Sequence, residues 1–253
     1  GGLMNEELAA TEMTCAICSS RRLRDFGSKA GYRMIECRDC GLVAVSPMPD
    51  AEEIAAFYQD YHKSAQYRAK LGSKVRRARR RIRRVGGRGR GRRFLDVGCN
   101  AGFAVSAAAS LGYHATGIDV DGEAVAWAAE HFPEAHFEAV SVEALARRGE
   151  VYDLIYCSEV IEHLPALDGF VQALRELMHA DSRLFLTTPD LGHYSLRKPF
   201  SRRSLLDWDA VRPPEHLYYF NRANLRELFL RHGFRRVSCA WNSKPTIKAV
   251  IRL

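Results

Sequence analysis

From Phe94 to the C-terminus the chain alternates short apolar runs with longer amphipathic ones. "RFLDV", "HATGID", "AHFEAV", "YDLIYC" and "SRLFLTT" have strand length and continuous apolar character. Between them lie "AVSAAASLG", "GEAVAWAAEHF" and "LDGFVQALRELMH", whose apolar positions recur at helical spacing. Strands separated by helices of 10–15 residues pair in parallel, so the pattern predicts a doubly wound α/β sheet. "NRANLRELFLRHGF" follows as a further helix. The last two runs, "RRVSCAW" and "TIKAVIRL", are joined through Lys244-Pro245, too short a link for anything but an antiparallel pair.

The first 92 residues follow other patterns. Residues 13–46 are turn-rich and short-stranded, and residues 50–92 read as helices, the first opening on an acidic turn in "DAEEIAAFYQDYH". Three sections are expected: a ribbon at 13–46, a helical linker at 50–92, and the α/β domain at 93–253. In "KVRRARRRIRRV", Val75, Ala78, Ile82 and Val85 form a narrow apolar stripe on an otherwise cationic helix that ends at Gly86-Gly87.

Charge sharpens this division. Residues 68–93 hold 14 Lys or Arg and no acid, leaving 24 bases against 30 acids elsewhere. The net charge of +8 is therefore one local feature. It marks either an anion-binding surface, for a nucleic acid or another polyanion, or a solvated helix paired with an acidic domain. No apolar run reaches about 18 residues, which excludes a membrane-spanning helix. The N-terminal "GGLMNEELAATE" lacks the layout of a signal peptide, Gly1 and Gly2 before Met4 read as an expression scar, and seven cysteines with no secretion signal point to a cytoplasmic chain.

Four of those cysteines carry chemistry. Cys15-x2-Cys18 and Cys37-x2-Cys40, 18 residues apart and with Gly41 after the second pair, have the spacing of a four-thiolate zinc site. Such a site has no open position, so the metal it predicts is structural. Cys99, Cys157 and Cys239 stand alone and read as small core residues.

The loop "DVGCNAGF" joins the first α/β strand to its helix, where doubly wound sheets bind ligands. Gly98 and Gly102 allow close backbone approach, and Asp119, 17 positions after Gly102 in "GIDVD", is placed to accept from a ribose diol. The spacing is not the G-x-G-x-x-G of a dinucleotide site. Asp96 would repel a pyrophosphate but attract a cationic amino-acid moiety, which favours S-adenosylmethionine (SAM) over NAD.

"LDVGCNAGF", "GIDVD", "YDLIYCSEVIEHL", "LFLTTPD" and "PPEHLYYFNRANLRELFLRHGF" resemble, in this order, the motifs of class I SAM-dependent methyltransferases. The resemblance covers about residues 92–242. It is strongest to the E-x-x-E-H branch, which includes quinone-biosynthesis O-methyltransferases. It implies a Rossmann-like seven-stranded, mostly parallel sheet, with Asp96, Gly98 and Gly102 at the methionine end of SAM. It further implies that Asp119 binds the ribose, that Val120 packs on the adenine, and that Ser141 and Val142 flank its edge. By the same resemblance Ser158 and Glu159 are expected to complete the cofactor pocket. The family has glycine where this chain has Asn100. Asparagine tolerates left-handed backbone, so the loop is expected to keep its shape and gain an amide near the cofactor.

In "SEVIEHL", Glu159, Glu162 and His163 fall at i, i+3 and i+4 and would share a face if the segment begins a helical turn. His163 is a candidate general base. In related quinone-biosynthesis enzymes this cluster is associated with a divalent metal, and an alternative is that Glu159 and His163 only shape the cofactor pocket. His216, after the extended loop expected of Pro213-Pro214, is a second candidate, with Trp208 a possible wall of the acceptor pocket. These readings converge on a methyltransferase, with O-methylation of a small or saccharide-like acceptor preferred. The alternatives are an RNA methyltransferase gripping nucleic acid through the arginines and ribbon, and a SAM-binding module without catalysis.

Overall fold

The computed structural model describes residues 13–60, 71–89, 91–196 and 204–253. Gly1, Gly2 and Met4, and from the basic segment residues 68–70 and Arg90, lie outside the described residues.

The predicted alternation is realised as a seven-stranded sheet. Its strands are β4 (Arg93–Val97), β5 (His114–Asp119), β6 (His136–Ala139), β7 (Tyr152–Ser158), β8 (Met178–Pro189), β10 (Arg236–Cys239) and β11 (Thr246–Arg252), in the order β10-β11-β8-β7-β4-β5-β6. β6, β5, β4, β7 and β8 pair in parallel, while β11 is antiparallel to both β8 and β10. The inner strands read as apolar runs because helices cover both faces. On one face lie α2 (Leu71–Gly86) and α3 (Phe103–Ala109). On the other lie α5 (Val142–Ala146), α6 (Leu167–Glu176) and α7 (Arg222–Arg231), with α4 (Gly122–His131) connecting β5 to β6.

The cationic helix α2 uses its stripe as expected. Ala78 and Ile82 are buried among Phe94, Leu154, Tyr156 and α3, and Val75 and Val85 pack against the same cluster. Two boundaries differ from the pattern. The helix expected to run through "LMH" stops at Glu176, and β8 starts four residues before the expected "SRLFLTT". Met178 is captured by β7 opposite Tyr152, and the buried Ser182 hydroxyl donates to the Tyr152 carbonyl at 2.6 Å. The short helix α5 was hidden because five residues give no readable period.

Residues 23–45 form β1 (Leu23–Lys29), β2 (Tyr32–Cys37) and β3 (Val43–Val45), an antiparallel meander. A fourth strand, β9 (Tyr218–Tyr219), comes from far along the chain and pairs with β3, Val43 opposite Tyr219. Met34, Val43 and Val45 share one continuous core with Leu217, Tyr219 and Phe229. α1 (Ala51–Asp60) follows this meander.

Candidate functional site

The loop after β4 turns on three residues in the left-handed region: Gly98 at φ 73°, Asn100 at 45° and Gly102 at 74°. Two of the glycines are also required by space. A Cβ on Gly98 would lie 2.6 Å from Val160 Cγ2, and one on Gly102 would lie 2.7 Å from the Phe137 ring. Asn100 keeps the loop shape, as expected, but its amide is directed inward. Its Oδ1 accepts from the Ala101 N–H at 2.7 Å.

Asp119 sits at the end of β5 and holds this loop. Its Oδ2 accepts from the Asn100 N–H at 2.8 Å and its Oδ1 from the Asp121 N–H at 3.0 Å. Asp96 is buried one strand away, and burial, reinforced by the Asp119 charge, raises its pKa well above the usual carboxylate range. Burial also raises Asp119. Among the described residues neither carboxylate forms an ion pair, so this end of the loop favours a cationic ligand group and disfavours an anionic one. Val120, next in line, is 80% exposed, an apolar side chain presented to solvent beside the loop. Ser141 caps α5 by accepting from the Ala144 N–H at 3.2 Å, and Val142 is buried beneath it.

The clash that excludes a side chain at Gly98 also joins this loop to the segment after β7. That segment is not the shared helical face the spacing suggests. Glu159 takes φ 57°, and only Ile161–His163 form a 3₁₀ turn. The reversal at Glu159 sends the two glutamates to different partners. Thr187 Oγ1 donates to Glu159 Oε1 at 2.8 Å and lies 2.7 Å from Ser158 Oγ. Thr188 Oγ1 donates to Glu162 Oε2 at 2.9 Å. Successive residues of β8 point to opposite faces, which is why adjacent threonines serve the two acids. Both threonines were visible in "LFLTTPD", yet only the fold shows what they hold.

Glu162 is fully buried, and its Oε1 has no hydrogen-bond partner among the described residues. Burial, followed by repulsion from Glu159, pushes its pKa well above the usual range. His163 Nε2 lies 4.0 Å from that oxygen, and its Nδ1 donates to the Glu215 carbonyl at 2.7 Å, leaving Nε2 as the basic atom of this tautomer. The His216 ring stacks edge-on against His163 with centroids 4.6 Å apart.

His216 is more enclosed than an extended loop would leave it. Pro213-Pro214 form a cis peptide within a turn, and the His216 N–H donates back to the Arg212 carbonyl at 3.1 Å. Its Nδ1 donates to the Ala210 carbonyl at 2.8 Å, and its Nε2 accepts from Arg212 at 3.3 Å. Trp208 is half-buried against the main core.

The four ribbon cysteines converge. Cys15 and Cys40 Sγ are 3.5 Å apart, as are Cys18 and Cys37, and one ligand atom from each of the four lies within 4.8 Å of the others. The Cys40 hydrogen bond holds Cys15 down at about 5, while burial pushes Cys18 up to about 11. Cys99, Cys157 and Cys239 are thiols raised by burial, in keeping with core roles. The ribbon lies against the site's support rather than apart from it. Asn221 and Asn224, at the start of α7, both donate to the Cys40 carbonyl.

Sequence and fold comparisons agree with this architecture. A family model described as "Methyltransferase domain" matches residues 65–238. A ubiquinone biosynthesis O-methyltransferase of Burkholderia ambifaria is 37% identical over 103 residues, 39% of this chain and 44% of that protein. The chain thus matches less than half the length of this curated relative. A Burkholderia thailandensis 1,6-didemethyltoxoflavin-N1-methyltransferase, solved with 1,6-didemethyltoxoflavin and S-adenosylhomocysteine, aligns at TM-score 0.56 and 17% identity over 90% of this chain and 97% of that one. A SAM-dependent methyltransferase from Archaeoglobus fulgidus aligns at 0.57 and 16%, over 79% and 99%. With more than half of its length matched by the family model, and with the strand order and loop geometry described above, the chain belongs to the methyltransferase-domain family.

Proposed function

We propose that the chain binds SAM at the Gly98–Gly102 loop and catalyses O-methylation of a small-molecule or saccharide-like acceptor. The observation that carries this reading is the contact of two unlike sites. The loop and its Asp96–Asp119 pair, which favour a cation, meet through Gly98 and Val160 the segment bearing Glu162 and His163. When bound, SAM supplies an electrophilic methyl on a positively charged sulfur. Asp96 draws the cationic end, Asp119 takes the ribose diol, and Val120 covers the adenine with Ser141 and Val142 at its edge. Ser158 and Glu159, tied through Thr187, close the pocket.

In this reading His163 Nε2 accepts the acceptor hydroxyl's proton while the pocket holds oxygen, methyl and sulfur in line. Burial raises the Glu162 pKa and so favours its neutral form beside that nitrogen. His216 positions His163 through ring contact, since both its nitrogens are engaged. The acid-histidine cluster does not fit a divalent metal well. Glu162, His163 and His216 come within 4.8 Å of one another, but His216 Nδ1 donates to the Ala210 carbonyl and its Nε2 accepts from Arg212, so that ring has no lone pair left for a metal. The cysteine cluster does fit one. Four sulfurs at 2.3 Å from a tetrahedral zinc would be about 3.8 Å apart, near the separations present. Cys15, Cys18, Cys37 and Cys40 would hold it, closing the end of the meander. Preference for oxygen follows the name of the ubiquinone-biosynthesis relative and the His163 lone pair; an RNA acceptor has no specific observation behind it.

The test is transfer of tritiated methyl from SAM to cell extract separated into metabolite, glycan and RNA fractions. Label in a metabolite or glycan, lost when the His163→Ala variant is used, is the expected result. Label confined to RNA would overturn the acceptor assignment, and no SAM binding in calorimetry would overturn the reading altogether.

A further inference from the structure

Between α2 and the free half of the sheet runs a groove of about 640 Å³. One wall is helical: Arg77, Arg80, Arg81 and Arg84 fall at i, i+3, i+4 and i+7 and so face one way. The other wall follows the period of two of a strand. Arg183 stands on β8, Arg236 on β10, and Lys248 and Arg252 on β11, all on the sheet face opposite the buried Ile247, Ala249 and Ile251. Among the described residues, eight cations line the groove and no acid does.

These charges are left uncompensated. Among the described residues none of the eight forms an ion pair, although the chain holds 30 Asp and Glu. Their hydrogen bonds go to neutral groups: Arg81 to the Tyr156 hydroxyl, Arg183 to the Val85 carbonyl, Arg236 to the Ser238 hydroxyl and Lys248 to the Asn242 side-chain oxygen Oδ1. Arg236 and Arg252 are direct cross-strand partners, an arrangement that destabilises a sheet unless an anion lies between them. Burial and the nearby Arg81 and Arg84 lower the Lys248 pKa, which also reports crowded positive charge. The floor is apolar, formed by Phe185, Val250 and Val85. Lys248 pairs in register with Thr187, so the groove climbs toward the end of β8 that holds Glu159.

We propose that this groove binds a small organic diphosphate, its phosphoryl groups clamped between the two arginine rows and its organic part lying on Phe185 and Val250. The volume is that of a small-molecule site. Facing guanidinium groups match paired phosphates bidentately. Nucleic acid is the poorer fit, because the lining offers Phe185 as its one ring, and that ring is buried in the floor rather than raised for base stacking. The site is separate from the SAM loop and stands whether or not the acceptor assignment holds.

The test is calorimetry on the full chain at fixed ionic strength with inorganic phosphate, inorganic pyrophosphate and geranyl diphosphate. Pyrophosphate is expected to bind at least tenfold more tightly than phosphate, and geranyl diphosphate severalfold more tightly again. Arg80→Gln/Arg84→Gln and Arg236→Gln/Arg252→Gln, one pair from each wall, should each weaken pyrophosphate tenfold or more without lowering the melting midpoint. If either pair unfolds, the order of the three ligands on the unaltered chain decides. Equal affinity for phosphate and pyrophosphate would overturn the proposal, as would pyrophosphate binding that both folded double variants retain. A twelve-nucleotide RNA binding more tightly than geranyl diphosphate, or capture by phosphatidylglycerol vesicles that pyrophosphate does not compete, would assign the groove to a macromolecule or membrane instead.

Discussion

The Asn100 N–H donates to Asp119 Oδ2 at 2.8 Å, so the residue that departs from the family pattern is held by the acid expected to bind the ribose. The bond uses backbone on one side, and the Asn100 side chain is spent on its own loop. Asn100→Gly keeps the donor and relaxes the positive φ, so SAM affinity in calorimetry should change by less than about threefold. Asn100→Val keeps the donor but strains the backbone by about 1–2 kcal/mol, and should weaken SAM about tenfold. Equal affinities for the two variants would refute the view that conformation, rather than the amide, is what position 100 supplies.

His163→Ala removes the proposed base without touching the loop. The expected outcome is a fall in kcat of about a hundredfold or more, with SAM dissociation constant unchanged. A parallel loss of SAM affinity would instead assign His163 to the cofactor pocket, the other role its motif allows.

Glu162 gives a pH signature. Its folded pKa is raised by burial, while in the unfolded chain it ionises near 4.3. Unfolding in that interval releases a proton, so its contribution to stability is complete below about pH 4.3 and is lost as pH rises toward the folded pKa. Glu162→Gln cannot ionise and still offers an oxygen to Thr188. It should therefore melt higher than the parent at pH 8, with the gain shrinking toward pH 5. A constant difference across that range would mean that the buried carboxyl is already ionised in the native state.

The α/β domain was legible because apolar strand runs alternate with helical-period runs, and because strand, loop and acid motifs keep a fixed order. The left-handed turn at Asn100 was legible for a local reason, the tolerance of asparagine for that conformation. The site beyond the loop was not. Whether Glu159 and Glu162 share a face depends on the backbone reversing at Glu159, and on Thr187 and Thr188 arriving from a strand 26 or more residues away. The extended loop at Pro213-Pro214 failed similarly, since a proline pair fixes φ but not the sense of the turn between them. The groove was half visible. The helix arginines announced it, whereas Arg183, Arg236, Lys248 and Arg252 are scattered over three strands that only the sheet brings together.

The stripe on α2 separates packing from charge. Ile82 is buried against Phe94 and α3. Ile82→Ala should cost about 2–4 kcal/mol in chemical denaturation, whereas Arg79→Ala, on the exposed side, should change stability by less than about 0.5 kcal/mol. A comparable loss from both would mean that α2 is held by charge and not by its stripe.

The ribbon is tied to the proposed base through one residue. The Val45 N–H donates to the Leu217 carbonyl at 2.9 Å, and the Leu217 N–H donates to the Glu162 carbonyl at 2.8 Å, one residue before His163. β3 also pairs directly with β9, the strand that follows His216 and Leu217. Closing the thiolate cluster therefore fixes a strand that supports the acid-histidine segment. Cys37→Ser should release the proposed zinc, measurable by metal analysis, lower the melting midpoint, and reduce kcat severalfold while the SAM loop, built on β4 and β5, keeps its affinity. Loss of zinc with kcat intact would show that β9 holds the segment without the ribbon. Loss of SAM affinity in step with kcat would show that the metal stabilises the whole chain rather than this one support.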